Sequence, residues 1–333
     1  MDVSFRLHKS RSSNDQRLVY LQHVDTINTI LDTVLGALRR LGDRLPDDVR
    51  SFIVHFRVHY QVFVIAVGYL MGSLFVGDFT LASFWLQYLN VSILLFGTAT
   101  VYNSWQDRDE GPVGGLKNPP KMQPWMRRVA LWMQFGGLLL AHYAGIEFTY
   151  IYLACMVLLW MYSTRRIRWK ALPIRSLVVV AFGAGAGSFW MGYYAAGGAT
   201  FSFAVIIAGI GVAMIYLSMY TISQLGKMRL NAARGDRTFA IEMGVKGTKR
   251  FHTNSFRIGV ALVGLPLVVF SWPVGLVFIA LGIGLMYYAK PMVADLAGDT
   301  SDMPAINRLK YTISLSFAVF ALIVMIVLHA ILA

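Results

Sequence analysis

A group of acidic residues after the second long apolar stretch has the residue types and spacing of a metal-assisted phosphate site. Asp107, Asp109 and Glu110 lie within four positions, and Asn103 precedes Asp107 by one helical turn, in a chain with only 17 acidic residues. Carboxylate oxygens suit Mg²⁺, which is commonly held by one or two carboxylates together with substrate phosphates. The sequence therefore indicates a Mg²⁺ site. The alternative is a solvated charged loop balanced by Arg108.

Two basic segments, residues 162–170 and 224–238, supply charge of the opposite sign. Arginine and lysine beside a carboxylate-held Mg²⁺ form a site for a phosphate-bearing head group. Membrane topology alone also places positive residues in such segments, so each residue has this second explanation. The predicted phosphate contacts are Arg166, Lys170, Lys227 and Arg237.

The composition requires that these polar segments connect membrane-spanning helices. Of the 333 residues, 56% are hydrophobic and 14% are charged, against roughly 25% charged residues in soluble domains. This composition excludes a globular soluble enzyme, a secreted disulfide scaffold and a disordered chain. Cys155 is the single cysteine, which excludes an internal disulfide and a cysteine-cluster metal site.

Nine stretches are apolar and close to the length of about 20 residues that a transmembrane helix needs. The sequence thus predicts an all-α, polytopic membrane protein with nine transmembrane helices. The predicted spans are 58–76, 80–101, 128–146, 147–163, 177–196, 200–223, 255–271, 273–289 and 310–331.

The distribution of positive charge predicts the orientation in the membrane. If the N-terminus is cytoplasmic, all 30 Lys and Arg residues fall in the N-terminal arm or in the loops after spans two, four, six and eight, counted together with the adjoining helix ends. The opposite loops contain only Asp78 and Glu147 as charged residues. By the positive-inside rule, the polar site faces the cytoplasm of an inner or cytoplasmic-type membrane and the C-terminus lies outside. The net charge of +13 therefore reports topology, and nucleic acid is not an expected partner.

Residues 1–50 form a cytoplasmic arm that precedes the predicted membrane domain, residues 51–333. Apolar residues recur in the arm at alternating spacings of four and three. This pattern predicts an amphipathic helix over residues 20–45 that lies on the membrane surface or on the protein's own cytoplasmic face. The alternative is a short coiled coil with a second copy or a partner protein. The apolar positions are Tyr20, Val24, Ile27, Leu31, Val34, Leu38, Leu41 and Leu45.

The fifth span contains Gly183, Gly185 and Gly187, separated by alanines. Small residues let helices approach closely in lipid, so this segment predicts a tight helix contact. The alternative is the floor of a groove for a lipid chain.

Three segments together resemble the UbiA superfamily of membrane prenyltransferases. Residues 103–111 resemble its first aspartate-rich motif, NDxxDxxxD, which also follows the second helix in that family. Residues 162–170 resemble its tyrosine–lysine segment after the fourth helix, and residues 224–244 resemble its second aspartate-rich loop after the sixth. The resemblance covers about residues 50–333 and implies a UbiA-like prenyltransferase fold.

The resemblance also implies a reaction and roles for individual residues. In the family, Mg²⁺ binds the diphosphate of an isoprenyl donor, and ionisation leaves an allylic cation that an acceptor attacks. Asp107, Lys170 and Lys227 are then the expected catalytic residues. The expected metal ligands are Asn103, Asp107, Asp109 and Glu110. The expected prenyl pocket consists of Trp160, Phe189, Trp190 and Tyr194, whose aromatic faces suit a cation.

The sequence departs from the family pattern at both motifs. In the first motif, Ser104 and Gly111 stand where the family has aspartates. In the second, the three aspartate positions fall on Gln224, Lys227 and Asn231, which makes a carboxylate-held metal unexpected there. The ammonium of Lys227 would then take the place of the second metal's charge and contact a phosphate or Asp107.

Three functions remain open from the sequence. The leading one is Mg²⁺-assisted transfer of an isoprenoid chain from its diphosphate to a cyclic or aromatic lipid-soluble acceptor within the bilayer. The alternative is a non-catalytic or accessory membrane protein that binds an isoprenoid, pigment or quinone, which the altered second motif favours. The third is a cyclase or another transferase that acts on a polyprenyl substrate.

Overall fold

The computed structural model describes residues 45–76, 82–107 and 121–332. The chain divides into two units, Met1–Ser51 and Phe52–Ala333. Residues 1–44, which hold nearly all of the predicted amphipathic helix, lie outside the described residues, as do Asp109 and Glu110. The arm, its helix and its partner therefore stay predictions.

Nine helices of 18 residues or more account for most of the described chain, which contains no strand. This confirms the all-α fold. The helices are α1 (Asp47–Ser73), α2 (Ala82–Asp107), α3 (Pro124–Ala141), α4 (Ile146–Ser163), α5 (Pro173–Ala195), α6 (Phe203–Leu225), α7 (Phe239–Phe270), α8 (Trp272–Ala294) and α9 (Met303–Leu332).

Eight of these helices are long and apolar enough to cross a membrane, and α3 is the one that is not. Its 18 residues include Arg127, Arg128 and Gln134, which lower its mean hydropathy. The predicted third span is therefore a helix at the expected place, but a more polar one. Tight connections join α3 to α4 at His142–Ala144 and α7 to α8 at Ser271.

Helix α7 begins at Phe239, well before the predicted start at residue 255, and is broken at Gly244, where φ is 65° and ψ is 176°. Its first half is polar, so apolar content alone does not reveal it. Within this half, Thr248 donates to the carbonyl of Gly244, and His252 Nδ1 lies 2.9 Å from the carbonyl of Ser218 on α6. Internal hydrogen bonds of this kind allow polar residues to lie buried against a neighbouring helix.

Close contacts at glycine fix the position of α5 against α1 and α6. A Cβ atom at Gly192 would overlap the carbonyl of Tyr69 on α1, and one at Gly185 would lie 2.5 Å from Cα of Ala213 on α6. The predicted tight contact is thus present at Gly185. It is absent at Gly183, where a Cβ would meet nothing within 4 Å.

A hydrogen-bonded polar layer joins α2, α3 and α4. Asn90 on α2 donates to the carbonyl of Gly137 on α3 at 2.9 Å and accepts from the hydroxyl of Tyr152 on α4 at 3.3 Å. Gln134 on α3 accepts from Trp160 Nε1 on α4 at 2.6 Å. These bonds satisfy polar side chains within apolar helices, where an unpaired polar group is costly.

Candidate functional site

A cavity of about 520 Å³ lies among α1, α2, α4, α5, α6 and α9. Along α1, α2 and α6, charged or polar lining groups lie near one end of the helix and the more apolar lining groups lie further along. On α2 the order is Phe96, then Asn103 and Asp107; α6 places Tyr216 before Gln224. Helix α1 shows the reverse order, from Arg57 to Val64 and Ile65, and α9 contributes Lys310. The cavity therefore has a charged end and a deeper apolar part.

The acidic side of the charged end is the ion pair of Lys170 with Asp107, which also involves Asn103 of the first motif. Lys170 Nζ donates to the Asp107 carboxylate and, at 2.8 Å, to Oδ1 of Asn103. Ser163 donates to the same Asn103 oxygen at 3.1 Å. The Lys170 and Asp107 side chains are 12% and 13% exposed, so solvent weakens this pair only modestly.

Arg57 reaches the first motif from α1. Its Nη2 donates to the Ser104 hydroxyl at 3.1 Å. Ser104 occupies a position where the family has an aspartate. In this chain the side chain at that position contacts a positively charged guanidinium. The backbone of Arg57 is left-handed, with φ 51°, a conformation that costs a residue with a Cβ about 1–2 kcal/mol.

Arg168 provides a second, parallel case. It precedes the short turn Trp169–Ala171, has φ 42°, and pairs through Nη2 with Asp236 at 3.0 Å. Arg57 and Arg168 are the two non-glycine residues with positive φ in the described part of the chain, and both line the cavity. Left-handed backbone at bulky residues persists only where the surroundings hold it and concentrates at ligand sites.

Buried polar atoms of lining residues that make no hydrogen bond within the described part of the chain include Gln224 Nε2, Thr238 Oγ1 and Arg168 Nε. The other end of the Gln224 amide accepts from the backbone N–H of Ala240 at 3.0 Å, which fixes its orientation. Buried polar groups without partners are rare in folded proteins. These atoms point to a polar ligand at the charged end of the cavity.

The structure brings four of the predicted site residues together at the cavity: Asn103, Asp107, Lys170 and Lys227. Contact of an ammonium with Asp107, expected from Lys227, is made by Lys170. Four further cations line the cavity that were not among the predicted site residues: Arg57, Arg168, Arg234 and Lys310.

Two predicted phosphate contacts lie away from the cavity. Arg166 is exposed on the loop after α4. Arg237 has a side chain that is 75% exposed and pairs with Glu242 at 2.7 Å. Neither lines the cavity, whereas Arg168 and Arg234 from the same two segments do.

The four aromatic residues expected in the prenyl pocket also lie elsewhere. Trp160 is hydrogen-bonded to Gln134, and Phe189 packs edge-on against Phe75. Trp190 and Tyr194 pack against Phe201 near the opposite end of the bundle. Tyrosines line the cavity instead, and one of them, Tyr162, belongs to the segment 162–170 that the sequence indicates. They are Tyr60, Tyr162, Tyr216, Tyr220 and Tyr311.

The described donor set at the cavity does not fit a Mg²⁺ site. The described part of the chain contains no group of three His, Cys, Asp or Glu residues that could hold a metal. The two carboxylates that line the cavity, Asp107 and Asp236, are each paired with a cation. The prediction of Mg²⁺ therefore depends on Asp109 and Glu110, which lie outside the described residues.

Comparison with solved structures identifies the fold. A UbiA homologue from Archaeoglobus fulgidus bound to GPP and Mg²⁺ matches with a TM-score of 0.63 at 17% identity, covering 83% of this chain and 99% of that one. The same homologue bound to Cd²⁺ matches with a TM-score of 0.58 at 16% identity, with the same coverage. A structure described as digeranylgeranylglyceryl phosphate synthase in membranes matches with a TM-score of 0.57 at 16% identity, covering 83% and 99%.

No family model and no curated protein matches the sequence. The structural matches confirm the predicted architecture: the chain is a multi-helix membrane protein with the UbiA prenyltransferase fold. At this level of identity the likeness shows the fold alone, so the activity has to be argued from the cavity.

Proposed function

We propose that this chain is an intramembrane prenyltransferase that moves an isoprenoid chain from its diphosphate to a cyclic or aromatic lipid-soluble acceptor. One observation carries the proposal: a single cavity combines a strongly cationic end with a deeper part lined by tyrosines and aliphatic side chains. This combination matches a ligand with a phosphate head and an apolar tail. The fold is that of proteins whose structures hold GPP or DMAPP.

The cavity residues suit the chemistry of such a transfer. Cleavage of the bond between the isoprenyl carbon and the diphosphate oxygen leaves negative charge on the diphosphate, which lysine and arginine side chains stabilise. The allylic cation would lie deeper, where tyrosine faces attract positive charge and apolar walls such as Leu159 and Val180 exclude water. The acceptor then forms the new bond to carbon and releases a proton.

We place the charged end of the cavity at the cytoplasmic surface of the membrane. The support is the distribution of all 30 Lys and Arg residues according to the positive-inside rule. A water-soluble diphosphate head would then enter from the cytoplasm, while the acceptor arrives from the bilayer.

A second function has its own support: the chain binds an isoprenyl lipid, a pigment or a quinone without reacting with it. Lys170 holds the Asp107 carboxylate of the first motif, and the second loop has Gln224, Lys227 and Asn231 at the aspartate positions of the family. A chain that keeps the fold but lacks the carboxylates of the second loop can still bind a ligand in the cavity without catalysing transfer.

Release of diphosphate by the purified protein in lipid nanodiscs separates the two functions. Isoprenyl diphosphates of increasing length are offered together with a lipid extract as acceptor. We expect release by the wild type and a loss of roughly a hundredfold in Lys170→Gln, since this residue faces the developing charge. Arg166→Gln, a matched change outside the cavity, should keep the wild-type rate. Donor binding without release from any donor would reject transfer and support the second function.

A further inference from the structure

We infer that this site binds the diphosphate of its ligand directly through lysine and arginine side chains, without a divalent metal ion between ligand and protein. The inference rests on the proposed function for the identity of the ligand, an isoprenyl diphosphate. It differs from the A. fulgidus homologue, whose structure is described with Mg²⁺ bound together with GPP.

The first argument is the balance of charge. Six cationic side chains and two carboxylates line the cavity among the described residues, an excess of four positive charges. A diphosphate carries several negative charges, and a carboxylate-rich site needs metal ions to attract it. Here the protein's own side chains supply that positive charge. The cations are Arg57, Arg168, Lys170, Lys227, Arg234 and Lys310.

The second argument is the position of these cations. Arg57 contacts Ser104, and Lys170 contacts Asp107, so two cations meet the helix turn where the family carries its first aspartates. Lys227 lines the cavity at one of the aspartate positions of the second loop. Each motif that would hold a metal in the family therefore presents an ammonium or a guanidinium in this chain.

The third argument is that Arg57 and Arg168 are held in an energetically unfavourable backbone conformation. Arg57 and Arg168 have left-handed backbones, with φ 51° and 42°. A flexible surface arginine needs no such backbone, whereas a preorganised one contacts phosphate with less loss of freedom on binding. Arg168 Nε is buried and has no hydrogen-bond partner among the described residues, so this guanidinium keeps a donor for a ligand.

The direct test measures binding of geranyl S-thiolodiphosphate, an unreactive analogue with sulfur in place of the bridging oxygen. Its dissociation constant for the wild-type protein in nanodiscs is determined by calorimetry with EDTA and again with Mg²⁺. We expect the two constants to agree within about threefold. Loss of binding by about tenfold or more in EDTA, restored by Mg²⁺, would overturn the inference and leave the proposed function standing. Absence of binding under both conditions would overturn the proposed function as well.

Variants assign the binding to the named cations. In EDTA, we expect Arg57→Gln and Arg168→Gln each to weaken binding by about tenfold or more, because each removes a charge-assisted contact to phosphate. Arg229→Gln is the matched control, since the Arg229 side chain is 80% exposed on the same loop as Lys227 and pairs only distantly with Asp299, at 3.9 Å. Unchanged binding in both cavity variants would contradict the inference.

Two further measurements separate a loss of binding from a loss of folding. Each variant is melted without ligand, and the charge-conserving Arg168→Lys should recover part of the affinity that Arg168→Gln loses. Electron paramagnetic resonance with Mn²⁺ then tests for a metal directly. We expect no additional bound Mn²⁺ when the analogue fills the wild-type cavity, and a bound Mn²⁺ that depends on the analogue would refute the inference.

Discussion

The ammonium of Lys170 rests on the carboxylate of Asp107, with the Asn103 side chain as its second acceptor. Asp107 therefore has a positively charged partner supplied by the chain itself. Ser104, three positions before Asp107 on α2, also contacts a cation, the guanidinium of Arg57. Asp107 is thus already paired before any ligand binds, and a bound diphosphate would compete with Asp107 for Lys170.

This competition predicts an unusual result for Asp107→Asn. Replacing the carboxylate with an amide removes a negative charge from the cavity and releases Lys170, so the affinity for geranyl S-thiolodiphosphate in EDTA should rise by roughly threefold to tenfold. Without ligand the variant should melt at a lower temperature, since a partly buried lysine loses its charged partner. At a carboxylate-held metal site the same substitution would weaken binding, and that outcome would contradict the ion-pair interpretation.

The left-handed backbone at Arg168 predicts that glycine is tolerated there better than alanine. Both Arg168→Gly and Arg168→Ala lose the ion pair with Asp236, but only alanine keeps the Cβ that the positive φ penalises. We expect the glycine variant to have a free energy of unfolding higher by roughly 1 kcal/mol. Both variants should bind the analogue weakly. Equal stability of the two variants in denaturant titrations would show that the backbone at Arg168 is not strained.

The contact between α1 and α5 predicts a large difference between two identical substitutions in one helix. Gly192→Ala places a methyl group on the Tyr69 carbonyl, whereas Gly183→Ala meets nothing within 4 Å. We expect Gly192→Ala to lower the free energy of unfolding by about 1–3 kcal/mol, and Gly183→Ala to leave it unchanged or slightly higher. Thermal melts in one detergent provide the comparison, and similar melting temperatures would refute the close contact.

The hydrogen bond between Trp160 and Gln134 predicts energetic coupling between α4 and α3. Gln134→Leu, Trp160→Phe and the double variant form a cycle that isolates the pair. We expect a coupling free energy of about 0.5–1.5 kcal/mol, within the range found for hydrogen bonds between membrane helices. A coupling near zero would mean that the 2.6 Å contact contributes nothing to stability. Diphosphate binding should be unaffected, because neither residue lines the cavity.

Hydropathy and charge were sufficient to predict the helices, because a membrane requires long apolar segments and places positive loops on one side. They did not reveal the polar first half of α7, since residues such as Thr248 and His252 are buried by hydrogen bonds rather than by apolar character. A hydropathy profile does not contain these contacts, and it does not contain the break at Gly244 that separates the first turn of α7 from the rest.

The site was predicted as a set of segments more accurately than as a set of side chains. Segment 162–170 does reach the cavity, but the arginine that lines it is Arg168 and not Arg166. The choice between them depends on the left-handed turn at Arg168, and an arginine gives no sign of positive φ in the sequence. Likewise, Trp160 is aromatic and close in sequence to Tyr162, yet it lies on the face of α4 that meets α3.

Parts of the cavity wall are π-helical. The segments Gln61–Ile65, Asn90–Gly97 and Val180–Ala186 interrupt α1, α2 and α5, and each contributes at least one lining residue. A π turn contains one more residue than an α turn, so beyond each segment the later side chains are rotated from the positions that an unbroken α-helix would give them. The shape of the cavity therefore depends on the extra residue in each π turn as well as on the size of the lining side chains. A deletion of one residue in such a segment would restore a regular helix and turn the lining away from the cavity, a change that no single substitution can mimic.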